Sequence, residues 1–163
     1  MNSLAMATHI ELWPIEKLIP LARNPRTHSD AQVAQIAASI AAFGFNNPIL
    51  VDTKAGIIAG HGRLLAARKL QLAEVPVIAL DHLTEAQKRV YIIADNQLPL
   101  NAGWDEELLQ AELAALQNDD FNIRLIGFED DELARMLAEQ DAADGLTDED
   151  AVPELPQTPA SHR

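Results

Sequence analysis

Gly60-His61-Gly62-Arg63 carries the strongest chemical signal in the sequence. It stands between an apolar run ending at Ala59 and a stretch with helical spacing. Glycine lets a backbone turn sharply and approach a ligand closely. A helix that begins there offers unpaired N–H groups, and the positive end of its dipole, to an anion. Arg63, in the first turn, adds a planar fork of donors that matches a phosphate. His61 adds a group able to donate to a phosphate oxygen or to act as an acid or base. Asn24-Pro25-Arg26 is a second candidate, because proline stiffens the loop from which Asn24 and Arg26 project. Ala94-Asp95-Asn96-Gln97 is a third, with polar groups at the end of a helix. Each pattern also has a plain reading: a strand-to-helix connection, a surface turn and a helix exit.

The elements that must position these residues are legible in turn. His9–Trp13 alternates polar and apolar residues as a strand does, and a turn of helix is expected around Ile15–Leu18. Proline forces its predecessor into extended geometry, so Arg23-Asn24-Pro25-Arg26 is loop. Ser29 with Gln32 predicts a capping box that opens a helix, followed by Val33, Ile36, Ile40 and Phe43 at helical spacing and stopped by Gly44. Pro48–Asp52 and Gly56–Ala59 predict a hairpin, His61–Leu70 a helix, and Val75–Leu80 a strand rich in β-branched residues. Thr84 with Gln87 predicts a second capping box. Leu83, Ala86, Val90 and Ile93 continue it as a helix to about Asn96, which Pro99 ends. The stripes Val33/Ile36/Ile40 and Leu83/Val90/Ile93 are expected to be core. Two further helices, Asp105–Leu116 and Glu129–Glu139, are acidic. From Asp141 the chain is acidic, contains Pro153, Pro156 and Pro159 and shows no apolar periodicity, the composition of a disordered linker or tail.

The totals set limits on function. At 163 residues the chain holds one ordinary domain and some tail. It has no cysteine, which excludes disulfides, thiolate metal sites and cysteine nucleophiles. The five histidines lack metal-ligand spacing, so no metal site is expected. No apolar run reaches the roughly 20 residues of a membrane span. Met1–Thr8 carries no signal-peptide pattern, and a cytoplasmic location is expected. Residues 1–80 hold seven Lys/Arg against five Asp/Glu, whereas residues 81–163 hold five against twenty. Duplex binding needs clustered positive charge, so DNA is expected to be reached only indirectly or through another domain.

The order of the three patterns is informative. The NPR loop, the helix ending in Phe43-Gly44, the Pro48-Ile49 strand, Ile57-Ile58-Ala59-Gly60-His61-Gly62-Arg63, the Val75-Pro76-Val77 strand and the helix ending in Asp95-Asn96 form one series. Over roughly His9 to Gln97 that series resembles the N-terminal domain of the ParB/sulfiredoxin superfamily. The resemblance implies an α+β fold, a small mixed sheet packed with helices and followed by C-terminal helices. It divides the chain into a domain at 1–100, accessory acidic helices at 101–140 and an acidic Pro-containing linker or tail at 141–163. It implies that Gly60, His61, Gly62, Arg63, Asn24, Arg26 and Asn96 surround nucleotide phosphates, with CTP or ATP and magnesium as the cofactors to expect; Asp95, beside Asn96 at the helix end, joins them as a candidate binding residue.

The departures narrow this. Sulfiredoxins carry their cysteine where His61 stands, which excludes sulfinic-acid reduction. Chromosome-segregating relatives usually place glutamate at that position, histidine at Gly62 and arginine at Leu98, which argues against CTP-gated DNA clamping. Ala59 replaces an aspartate found in many members and argues against inherited kinase or nuclease chemistry. A closer likeness is to the ParB-like region preceding DNA methyltransferases of phage and prophage proteins, which share the GHGR turn, the ADNQL helix end and the acidic linker. That likeness implies a methyltransferase domain or subunit as partner. No Asp/Asn-Pro-Pro-aromatic motif or Gly-rich cofactor loop is present, so catalysis is expected in a domain missing from this chain or encoded separately. Two alternatives stay open: a phosphotransferase or nuclease using Asp95 or Glu11 as its carboxylate, and an acidic protein-interaction module.

Overall fold

The computed structural model of the chain describes residues 3–148, and these separate into two compact units, the first ending at Gly103 and the second beginning at Trp104. The first is built on a four-stranded sheet: β1 (Glu11–Pro14), β2 (Ile49–Val51), β3 (Ile57–Ala59) and β4 (Glu74–Ala79), in the order β1-β4-β2-β3. β4 runs antiparallel to β1 and parallel to β2, and β2 runs antiparallel to β3. The sheet is therefore mixed, as expected. The parallel pair needs a crossover, and α2 (His61–Lys69) supplies it between β3 and β4. Strand residues Ile49, Val51, Ile57, Val75 and Val77 form the core with Leu64 and Ala67 of α2 and with Ile15 and Leu18 of a short helical turn after β1.

Local chemistry explains the boundaries. α1 (Asp30–Phe43) starts where the Ser29 hydroxyl accepts from the Gln32 amide and stops at Gly44, whose φ is 92°. Only half of the expected capping box forms, because the Gln32 side chain bonds the imidazole of His28 instead. α3 (Glu85–Gln97) has the complete box, with Thr84 and Gln87 bonding reciprocally. It runs on into a helical turn, Leu98–Asn101, that accommodates Pro99. The β2–β3 turn is held by Asp52, whose carboxylate accepts from the amides of Lys54 and Gly56 and pairs with Lys88 of α3 at 3.0 Å.

Several expectations are corrected. β1 begins at Glu11 rather than His9. Val90 and Ile93, expected in the core, are 68% and 58% exposed. The face of α3 turned inward carries Lys88, Ile92 and Asn96, and two of these are polar because they meet Asp52 and a polar cavity. The stripe of α1 is half-buried, and Ala37 is its buried residue.

The second unit packs α4 (Glu106–Asn118) and α5 (Asp130–Asp148) through Leu113, Leu133 and Met136, with Leu109, Ile123 and Phe128 around them. Asp105 caps α4, and the rings of Trp104 and Phe128 lie 5.8 Å apart. α5 continues to Asp148, so residues 141–148 are helix rather than the tail expected from 141 onward. Ala142 and Ala143 favour this, and no proline intervenes before Pro153. The rest of that expectation lies outside the described residues.

Candidate functional site

β3 delivers the chain into Gly60, which has φ 105° and ψ 25° and serves as the N-cap of α2. This left-handed geometry costs a residue with a side chain about 1–2 kcal/mol, hence glycine. Having no side chain, Gly60 cannot cap the first-turn amides, which stay available to a ligand. Gly62 is required for a different reason. It is buried in the first turn, and a Cβ on it would lie 3.0 Å from His28 Cε1 and 3.0 Å from Ile36 Cδ1. The glycine therefore lets α1 and the preceding loop press onto α2.

Above this turn is a cavity of about 180 Å³. Asn24, Arg26, His28, Gln32 and Ile36 line one side, Ile58 through Arg63 the floor, and Asp95 and Asn96 of α3 the remainder. All eight residues singled out in the sequence thus border one space. A second cavity of about 250 Å³ adjoins it, sharing Asn24, Arg26, His28 and His61 and adding Arg68.

Each polar group has a defined state. Asn24 accepts from the Arg26 amide at 3.1 Å, a side-chain turn that makes the NPR loop rigid. Asn96 donates one N–H to the Ile92 carbonyl, which leaves its side-chain oxygen and its second N–H for a ligand. Arg63 donates through Nη2 to the Pro48 carbonyl at 3.0 Å, while its Nε is buried with no hydrogen-bond partner among the described residues. Burial makes the Arg63 guanidinium easier to deprotonate than usual, and the nearby charge of Asp95 opposes that. Burial likewise holds His61 below the ordinary value of 6.5, with His28 pushing the same way. His61 Nε2 accepts from the Leu21 amide at 3.1 Å, which leaves Nδ1 as its protonated nitrogen. Burial, then the charge of Asp95, raises Tyr91 above 10.0.

Glu11, one of the two carboxylates considered for catalysis, belongs elsewhere. It lies on β1, at the opposite edge of the sheet from β3, and accepts from the Trp13 indole at 2.7 Å. Sequence reasoning missed His28 and Gln32 as wall residues. In the sequence Gln32 reads as a helix cap. His28 has no metal-ligand spacing to mark it, although it sits between the NPR loop and the helix start.

This arrangement has counterparts among known proteins. The sequence model of the ParB N-terminal domain matches residues 2–96, and that of the ParB-methyltransferase HTH domain matches residues 107–163. The ParB-like nuclease domain-containing protein YnaK of Escherichia coli (strain K12) is 54% identical over 76 residues, 47% of this chain and 87% of YnaK. A probable chromosome-partitioning protein ParB of Rickettsia typhi is 32% identical over 89 residues, covering 54% of this chain but 31% of that protein. The C-terminally truncated chromosome-partitioning protein ParB from Caulobacter crescentus, complexed with CTP-gamma-S, superposes with a TM-score of 0.65. The match spans 86% of this chain and 88% of that one at 21% identity, which shows a common fold.

Proposed function

The chain belongs to the ParB N-terminal domain family, and on that premise we propose that it is the nucleotide-binding module of a DNA-modification system, gripping phosphate at Gly60-His61-Gly62-Arg63. One observation carries the reading. The half-buried side chain of Arg63, whose Nε is buried and unpaired among the described residues, sits at an uncapped helix N-terminus in a cavity that Arg26 also lines. A buried donor without a partner is costly, and a phosphate oxygen supplies what is lacking. The solved relative's CTP-gamma-S makes CTP the first nucleotide to test and ATP the second. Magnesium fits as a companion of the nucleotide, since Asp95 is the one carboxylate among the residues lining the cavity. The methyltransferase-associated HTH match over residues 107–163 supports a methyltransferase domain or subunit as partner.

Calorimetric titration of CTP, ATP and ADP with magnesium tests this reading. Saturable binding by the wild type and its loss in Arg63→Ala, with circular dichroism unchanged, are expected. Failure of every nucleotide to bind would overturn it. Asp95 at the cavity also keeps a second reading alive, a nucleotide-dependent phosphotransferase or nuclease. Turnover abolished by Asp95→Ala would favour that reading, and stoichiometric binding without turnover would count against it.

A further inference from the structure

His28 is the wall residue that no sequence pattern singles out, and its position is the more informative for that. Its imidazole lies over the first turn of α2, where the missing side chain of Gly62 would otherwise be: a Cβ there would be 3.0 Å from His28 Cε1 and 3.1 Å from Nδ1. The ring is oriented from behind by α1, because Nδ1 bonds the Gln32 side-chain oxygen at 2.7 Å. An amide oxygen only accepts, so Nδ1 carries a proton and Nε2 is the nitrogen left for a ligand. His28 borders both cavities, between Arg26 on its own loop and His61 on α2.

We propose that His28 is a ligand-contacting residue of this site, standing in for the side chain that Gly62 lacks and presenting Nε2–H, in its protonated form, to the anion held at the start of α2. This rests on the phosphate-binding reading above. The charged and titratable groups lining the two cavities with His28 are Arg26 on its own loop, His61, Arg63 and Arg68 on α2, and Asp95 on α3; from α1 come the neutral Gln32, which lines the first cavity, and Asp30, in the first turn of that helix. His61 cannot serve in the same way without losing the Leu21 hydrogen bond, since a protonated ring has no acceptor nitrogen.

The test is calorimetry of the full chain with CTP and with inorganic triphosphate at pH 6 and pH 8, for wild type, His28→Gln and Gly62→Ala. Removing one charge-assisted hydrogen bond is expected to weaken triphosphate binding about tenfold at pH 6 and much less at pH 8. Titration of the ligand's own phosphate is common to all three proteins and cancels in the ratio. Gly62→Ala, whose Cβ displaces the ring, is expected to reproduce the pH-dependent part, and combining it with His28→Gln to add little further. A wild-type to His28→Gln affinity ratio that is the same at both pH values, in variants that melt cooperatively, would overturn the proposal and leave the phosphate-binding reading intact. Absence of wild-type binding to either ligand would remove both.

Discussion

The Nε2 nitrogen of His61 lies 3.1 Å from the amide of Leu21, forty residues earlier in the chain, and accepts its N–H. That bond fastens the segment entering the NPR loop to the turn that opens α2. It exists only while the ring is neutral, and burial followed by the His28 charge lowers the His61 pKa from 6.5.

The consequence for stability has a definite sign. The unfolded chain binds a proton at His61 more readily than the folded one, so stability rises with pH. The contribution is fully present above about pH 6.5 and is lost as pH falls through the lower folded value. Thermal melts between pH 8 and pH 5 are expected to show this decline in wild type and a flatter profile in His61→Gln, which should itself lose about 1 kcal/mol at pH 8. Parallel profiles for the two proteins would show that His61 does not carry the effect.

The two glycines of the turn are expected to fail differently when substituted. Gly60→Ala strains a left-handed residue, which alone should cost about 1–2 kcal/mol, and also sets a Cβ 3.0 Å from Arg63 Nη2 and 3.1 Å from Ile49 Cγ1. Gly62→Ala has no backbone strain but collides with His28 and Ile36, and should cost roughly 1–3 kcal/mol. Urea denaturation separates the causes: His28→Ala should relieve part of the Gly62→Ala cost and none of the Gly60→Ala cost.

Packing yields a sharper contrast. Leu64, 1% exposed beneath the sheet, should lose about 2–5 kcal/mol on truncation to alanine. Val90→Ala, on a helix whose apolar stripe promised a core position, should stay within about 0.5 kcal/mol because that side chain is 68% exposed. Equal costs at the two positions would contradict the orientation of α3.

Why one helix was legible and the other was not follows from what each buries. α2 is announced by Gly60, whose conformation only glycine adopts freely, and by apolar residues that do go inward. α3 turns Lys88 and Asn96 inward beside Ile92, and hydrophobic periodicity is blind to a polar face that finds polar partners. The same blindness hid His28, whose role depends on the absence of a side chain at Gly62, thirty-odd residues away in sequence. By contrast, the NPR loop, the turn and the Asp95-Asn96 helix end were all recognisable, because rigid turns and caps are written in a few adjacent residues.

Charge sets a limit on the second unit despite its match to an HTH family. Residues 104–148 contain two arginines, Arg124 and Arg135, against fourteen Asp/Glu. Non-specific duplex affinity comes from neutralising phosphates, and this stretch repels them. Fluorescence anisotropy of a labelled random duplex with the full chain at about 0.15 M salt should show no binding in the micromolar range. Salt-sensitive micromolar binding would require a basic surface beyond these residues.

The crossover made by α2 has a kinetic side. β2 and β4 pair in parallel across the whole of β3 and α2, which makes theirs a non-local contact that must await loop closure. The same segment is the floor of the cavity, so no partly folded chain lacking that pairing possesses the pocket. A nucleotide that binds there recognises only the completed fold, and each tenfold rise in ligand above its dissociation constant adds about 1.4 kcal/mol to the free energy of unfolding. Nucleotide supply would then govern how long the folded protein survives proteolysis, independently of any signal the module passes on.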